Sequence, residues 1–372
     1  MFLSRILITD FKNIAEADLE FSSGINCISG ANGSGKTNLL DAVYSLSMAK
    51  SFFNFQDSFS IRDGKESAAV AGYYNMDDGS VSKIGLGVYG GSREGKTLKC
   101  NDKAYKRLAD HIGLLPVVMV SPSDSNLINL SAEERRRFLN ALLSQMDHIY
   151  LEKLQRYNKT LAQRNRLLKE ENPSLELVSV LDAQLSENAD YVFQARQRLC
   201  SDLQEIVQKH YTQLSGGKET VRITYQSELQ RRPLEEILQK NFERDRVMGF
   251  TISGIHRDDV AFEMKSPAQD FNLLRRCASQ GQQKCFQIAL KMAQFGIMRK
   301  EGKSSTPILL LDDVFDKLDM ERVKNLLQMV SGEDFGQIFI TDSNKVRMDA
   351  LVEKVGGSAR NFEVSSGKIS RI

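Results

Sequence analysis

The octapeptide Gly30-Ala31-Asn32-Gly33-Ser34-Gly35-Lys36-Thr37 constrains this chain more than any other segment. It fits G-x-x-x-x-G-K-[ST]. It lies between an apolar strand pattern, Ile25 to Ile28, and a helical pattern carrying Leu39, Leu40, Val43 and Leu46 at three-to-four spacing. In that setting the glycines let backbone N–H groups turn inward around a phosphate chain, and the helix that follows adds its positive end. Lys36 is then placed to meet the β- and γ-phosphates, and Thr37 to hold a Mg²⁺ ion. Strand, loop and helix in this order predict an α/β nucleotide-binding head.

A phosphate loop does not by itself separate GTPases, kinases, helicases and cassette ATPases. Ile308-Leu309-Leu310-Leu311 reads as a buried strand ending in Asp312-Asp313. Asp312 suits the Mg²⁺ shell, and Asp313 the base that orients water on the γ-phosphate. Strands often end in acidic turns, so this run gains its weight from the phosphate loop. A cassette ATPase completes its site with a Ser-Gly motif that opens a helix and comes from a second subunit. Leu214-Ser215-Gly216-Gly217-Lys218 is literally closer to LSGGQ, but it follows a helix and precedes a β-branched strand pattern, so Gly216-Gly217 reads as a cap and turn. Ser279-Gln280-Gly281-Gln282 opens a helical pattern instead, and Ser279 is the expected signature serine. Asp316-Lys317-Leu318-Asp319 occupies the place of a D-loop, whose carboxylate bridges two subunits; a helix-start aspartate at Asp319 is the alternative. A guanine-reading N-K-x-D would mark a GTPase, and Asn344-Lys345-Val346-Arg347 lacks the aspartate. A small-molecule kinase shares the same loop, and a transporter cassette is disfavoured by the helices inserted before the signature.

Those helices occupy the middle of the chain. Apolar positions from Leu143 to Leu168 step by threes and fours without Gly or Pro, which predicts one helix from Ala132 to Glu171. Asn172-Pro173-Ser174 breaks it, and a second pattern runs from Leu181 to His210. The pair makes an antiparallel hairpin about 50 Å long at 1.5 Å per residue, and its apolar stripe is most simply its own seam. The expected division is a head formed by residues 1–130 and 215–372, with an arm at 131–214.

Composition limits the partners. The 372 residues carry 50 Lys+Arg against 48 Asp+Glu, a net +2, so a polyanion must be met by a local patch rather than by bulk charge. Candidate patches are Arg135-Arg136-Arg137, the row Lys153, Arg156, Lys159, Arg164 and Arg166, and Arg231-Arg232. They read equally as solvated helix faces or as contacts to DNA phosphates. Five scattered cysteines without CxxC and four histidines without paired spacing leave no protein-held metal site to expect. No apolar run approaches membrane-spanning length, and the expected location is the cytoplasm, with no membrane partner.

Taken in order along the chain, Leu7 to Phe11 with Lys12-Asn13, GANGSGKTNLLDA at 30–42, SPSDSNLINLSAEERRRFLN at 121–140, SGIHRDD at 253–259, SQGQQK at 279–284 and LLLDDVFDKLD at 309–319 resemble the RecF family of bacterial recombination-mediator ATPases. The resemblance implies an ABC/SMC-like P-loop ATPase head with a short helical arm, ATP and Mg²⁺ as cofactors, and ATP-dependent dimerisation on DNA. It also implies work with RecR and RecO in loading RecA at gaps or junctions. Three positions depart from the family pattern: Phe53 replaces an Arg able to reach phosphate or DNA, Ile255 replaces the proline of a TGPHR turn, and Ser123 opens what is elsewhere an acidic pair. The last strand ends in Thr341-Asp342 where cassette ATPases carry a switch histidine, so slow hydrolysis is expected.

Overall fold

The computed structural model describes residues 1–54, 56–91, 94–217, 219–267, 269–301, 305–316, 318–330, 335–344 and 359–372. Lys218, Lys317 and the triplet Lys345-Val346-Arg347 lie outside the described residues. The chain divides into two compact units, Met1–Asp124 with Gln294–Ile372, and Ser125–Ala293.

The first unit begins with β1 (Phe2–Phe11), β2 (Ile14–Glu20), β3 (Ile25–Ser29), α1 (Lys36–Met48), β4 (Ser67–Asn75), β5 (Val81–Tyr89), β6 (Gly95–Cys100), β7 (Lys103–Ala104) and β8 (Val117–Val120). The second follows with α2 (Ser125–Asn129), α3 (Ala132–Met146), α4 (His148–Leu167), α5 (Leu175–Ser215), β9 (Thr220–Gln226), α6 (Leu234–Met248), β10 (Asp259–Ser266), β11 (Gln269–Leu273), α7 (Leu274–Cys277) and α8 (Gln280–Glu301), within which the boundary falls. The chain then completes the first unit with β12 (Ile308–Leu311), α9 (Met320–Val330), β13 (Ile338–Asp342), β14 (Arg360–Ser365) and β15 (Lys368–Arg371).

Two six-stranded sheets build the first unit. One is antiparallel, in the order β2-β1-β4-β5-β6-β7; the other runs β15-β14-β3-β13-β12-β8, with β14, β3, β13, β12 and β8 parallel. The residues of β3, β8, β12 and β13 are all buried, as the continuous apolar runs of a parallel sheet require when both faces are covered. Helix α1 packs on β1, β4 and β5 of the first sheet and on β8 and β13 of the second. That explains why Asp41, Ser45 and Ser47 are buried along with its leucines: the helix has almost no solvent face. The parallel register sets Leu311 beside Ile340, so Asp312, just past the end of β12, lies beside Thr341 near the end of β13.

In the second unit the expected single helix from Ala132 to Glu171 is two helices. Asp147 takes an extended conformation (φ −135°, ψ 104°), and its carboxylate accepts from the N–H groups of Ile149 and Tyr150, capping α4. A cap of this kind is worth about 0.5–2 kcal/mol, enough to favour a break that apolar spacing alone does not reveal. Strand β9 and helix α6 pack on α5, so by contact residues 215–293 group with the helices, whereas the expected boundary at 214/215 follows the change from helical to strand pattern. Arg164, expected in an outward basic row, is fully buried; it donates to Asp182 (2.5 Å), Asp245 (2.6 Å) and Thr251 (2.8 Å) and ties α4 to α5, α6 and the loop that follows α6. No described helix is long and apolar enough to cross a membrane.

Candidate nucleotide-binding site

The loop between β3 and α1 is held in a shape that few residues other than glycine can adopt. Gly30 (φ 154°) and Gly35 (φ 118°) lie in the left-handed range. A Cβ on Gly30 would collide with the Val364 carbonyl and the Ser34 hydroxyl, and one on Gly35 would come within 2.7 Å of the Asn13 amide. Asn13, in the β1–β2 turn, braces the loop from outside by donating to the Ser34 carbonyl (3.1 Å) and accepting from Asn38 (2.8 Å). Ala31, Asn32 and Gly33 form the exposed rim. Lys36 is buried, and its ammonium reaches back over the loop to the carbonyls of Gly30 (2.9 Å) and Ala31 (3.1 Å). The Ser34 hydroxyl is buried and has no hydrogen-bond partner among the described residues.

Thr37 opens the other half of the site. Its hydroxyl donates to both oxygens of Asp312, at 2.9 and 3.0 Å. Thr341 donates to Asp312 Oδ1 at 2.8 Å and accepts from the Asp313 N–H at 3.0 Å. Burial pushes the Asp312 carboxyl above the ordinary range; the hydroxyls of Thr341 and Thr37 and the Lys36 ammonium pull it down, and Asp313 pushes it up. Asp313 itself is half-buried at a left-handed φ of 42°, a strained conformation for a residue with a side chain. Lys36, Thr37, Asp312 and Asp313 are thus brought together, from β-strand ends and helix starts that are 275 residues apart in the case of Thr37 and Asp312. A buried hydroxyl without a partner, an ammonium folded over inward-turned glycines and a carboxylate beside a threonine hydroxyl fit a nucleoside triphosphate and Mg²⁺ by donor and acceptor type.

Asp319 caps α9, accepting from the Arg322 N–H at 2.9 Å. Behind the loop, the buried Asp41 pairs with Lys12 (2.5 Å), accepts from Ser51 (2.6 Å) and from the Phe52 N–H (2.7 Å), while the Lys12 ammonium lies 5.4 Å from the Phe53 ring centre. Phe53, which departs from the family pattern, is therefore the cover of a buried ion pair.

In the second unit Ser279 stands at the start of α8. Its hydroxyl accepts from the Gln282 N–H (3.3 Å) and its own N–H donates to the Gln282 side chain (2.8 Å), a reciprocal cap. Ser279 and Gln280 are exposed, and Gly281 partly so. Ser215 is the last residue of α5, before Gly216 at φ 80°. Of the cations proposed for DNA, Arg135 is turned inward. It is 7% exposed, binds Asp259 through two nitrogens (2.7 and 3.1 Å) and donates to the carbonyls of Leu127 and Leu130, so it is a structural arginine rather than a surface contact. Arg136 donates to the Asp258 carbonyl, Lys153 pairs with Glu187 (2.7 Å), Arg156 stands 3.9 Å from Glu152, and Lys159 is exposed.

The family model described as the RecF/RecN/SMC N-terminal domain matches residues 2–364. The DNA replication and repair protein RecF of Bacteroides fragilis is 44% identical over 373 residues, covering 100% of this chain and 99% of that protein. The chain belongs to the RecF family. A solved structure of the recombination mediator protein RecF with ATP, of the RecFOR pathway, superimposes with a TM-score of 0.87 at 31% identity, covering 100% of this chain and 97% of that one. The Smc head domain of Pyrococcus furiosus, at a TM-score of 0.60 and 18% identity over 100% of this chain and 96% of that one, shares the fold. The head therefore has the ABC/SMC-like ATPase fold that the sequence motifs imply. Asn13 and Asp41 were not among the expected site residues although both stand in quoted motifs, and Thr341 was noted only as standing where a switch histidine would be, not as a partner of Asp312. Nothing in its motif indicates that Asn13 braces the loop.

Proposed function

We propose that this RecF-family chain is an ATP-switched DNA clamp of recombinational repair and replication-fork maintenance. Two copies close on ATP and open on hydrolysis, and the clamp assists recombinase loading at single-strand gaps or junctions. The observation that carries the reading is the Thr37–Asp312 pair at the mouth of the glycine loop. The relatives' names support it, one as a DNA replication and repair protein and one as a recombination mediator solved with ATP.

In this reading the backbone of Gly30 to Gly35 and the Lys36 ammonium bind the phosphates. Thr37 and Asp312 hold Mg²⁺, which when bound neutralises phosphate charge. Asp313 takes the proton from the attacking water. Ser279, Gln280, Gly281 and Gln282 of one copy face the γ-phosphate held by the other, where the exposed N-terminus of α8 presents its first-turn N–H groups and positive end. Asp319 bridges the two copies. Hydrolysis is slow because the residue at the imidazole's place, Thr341, gives its hydroxyl proton to Asp312 and meets only the backbone N–H of Asp313, and it is stimulated by DNA. The DNA lies against Arg136, Lys153, Arg156 and Lys159, read through phosphates without base preference. Residues 1–130 and 215–372 serve as the head and 131–214 as the arm, and RecR, with RecO and RecA, are the partners.

Subunit mixing tests the shared site. Lys36→Arg replaces a compact ammonium with a planar fork, and Ser279→Arg blocks the opposite face, so each homodimer is inactive. In the mixed dimer one composite site collects both lesions and the other is intact, so DNA-stimulated hydrolysis partly returns. A mixture that stays inactive although both variants fold and exchange subunits removes the shared-site reading.

A further inference from the structure

The second unit carries a cleft of about 1360 Å³ between the turn after β9, helix α6 and the segment before β10. Five cations line it: Arg231, Arg232, Lys240, Arg244 and Arg257, all exposed. None of the five has an ion-pair partner among the described residues, whereas three of the cleft's four carboxylates are engaged elsewhere and only the exposed Glu228 offsets the cations. Asp258 is held by Arg196, Asp259 by Arg135, and Glu243 stands 3.7 Å from Arg246. The charge left free in the cleft is therefore strongly positive. Beside these cations α6 exposes two apolar side chains, Val247 (86%) and Met248 (56%), and Ile237 and Ile252 add apolar surface to the lining.

We propose that this cleft docks an acidic amphipathic segment of a partner protein, whose carboxylates meet the arginines and whose leucine or phenylalanine side chains cover Val247 and Met248. Charge alone would fit duplex DNA as well. The apolar pair decides between them, because a duplex presents phosphates and sugars at its rim and has no apolar side chain to bury there, whereas an acidic segment satisfies both features at once. The cleft lies within the second unit and uses no residue of the nucleotide site, so the inference stands apart from the clamp reading.

The test uses the whole chain and fluorescence anisotropy with three probes: a labelled peptide alternating Glu-Glu with Leu-Phe, the same peptide with Leu and Phe replaced by Ser, and a labelled DNA duplex. The Leu-Phe peptide should bind about tenfold more tightly than its Ser counterpart. Arg231→Glu, Arg232→Glu and Arg244→Glu combined should weaken it about tenfold or more. Val247→Ser with Met248→Ser should weaken the peptide about fivefold and leave the duplex unchanged. All five side chains are exposed, and unchanged urea midpoints confirm that the variants fold. Equal binding of the two peptides, or a charge-reversed variant that loses the duplex and keeps the peptide, overturns the proposal; the second result makes the cleft a nucleic-acid surface.

Discussion

Thr341→Val isolates the hydroxyl that stands where a switch histidine would otherwise be. Valine keeps the shape of a fully buried side chain and removes two hydrogen bonds, the one given to Asp312 Oδ1 at 2.8 Å and the one received from the Asp313 N–H at 3.0 Å. A bond to a charged acceptor contributes roughly 1.5–3 kcal/mol, and an unmatched N–H costs roughly 1–3 kcal/mol where it is buried and toward the lower end for the half-buried Asp313. Thr37 continues to donate to Asp312, which softens the first term, so a loss of about 2–4 kcal/mol in unfolding free energy is expected. The pH dependence has a definite sign. The Asp312 carboxyl is already raised by burial, and losing Thr341 raises it further, so the folded variant takes up a proton over a wider window above the ordinary aspartate range. The destabilisation should therefore be least in acid, where the carboxyl is protonated in both chains, and should grow as pH rises through its folded value. Urea unfolding across pH measures this, and steady-state turnover with ATP reports whether Asp313 is still held in its strained conformation. Thr341→Ser restores both bonds and should cost only about 1 kcal/mol for the lost methyl. A valine variant as stable and active as the parent, or a serine variant as impaired as the valine one, would refute the reasoning.

Three further outcomes are expected. Asp313→Asn should keep ATP and the closed dimer while turnover falls by roughly 10²-fold, measured by nucleotide retention and phosphate release; loss of ATP binding would place Asp313 in the metal shell. Lys153→Ala, Arg156→Ala and Lys159→Ala combined should flatten the slope of log DNA affinity against log salt by up to about 3 units without changing ATP affinity, and an unchanged slope would make them a solvated face. Burial holds His256 down at about 4, against an ordinary 6.5, while its Nε2 lies 3.0 Å from the Thr251 carbonyl. The stability this depressed value confers is complete above the ordinary range and is lost as pH falls toward 4, on the order of 2–3 kcal/mol. His256→Gln should lessen that acid loss in urea titrations, and an identical pH profile in both chains counts against it.

The elements that carry the candidate site residues were legible in sequence where their geometry is local. The glycine loop, the strand ending in Asp312-Asp313 and the helix opened by Ser279 each declare themselves within a dozen residues, because turn, strand and cap preferences act at that range. Choosing Ser279 over Ser215 depended on which serine precedes a helix, and α8 begins after Ser279 while α5 ends at Ser215. Thr341 was legible only as the place of a missing histidine and Asn13 only as part of a motif; the hydrogen bonds that each makes gave no such signal. The role of Thr341 depends on β12 and β13 pairing in one particular register, and that of Asn13 on a turn between β1 and β2 reaching a carbonyl 21 residues onward.

The cations show why charge patterns are poor guides to surfaces. Arg135, Arg164 and Lys159 look alike in sequence, each on an amphipathic helix among other basic residues. A guanidinium leaves water only if carboxylates and carbonyls replace its hydration, since breaking a buried pair costs about 3–5 kcal/mol. Those partners are remote: Asp259 lies 124 residues from Arg135, and Asp182 and Asp245 lie 18 and 81 residues from Arg164. Even the nearest of these partners, Asp182, lies on a different helix from Arg164, so spacing along one helix could not tell the inward arginines from the outward ones in advance. The proposed DNA face narrows on the same physical ground. A cation already matched to a carboxylate releases less on meeting a phosphate, so Lys153, paired with Glu187 at 2.7 Å, should contribute less to the salt slope than the exposed Lys159. Of the three single alanine variants, Lys159→Ala should therefore flatten that slope most.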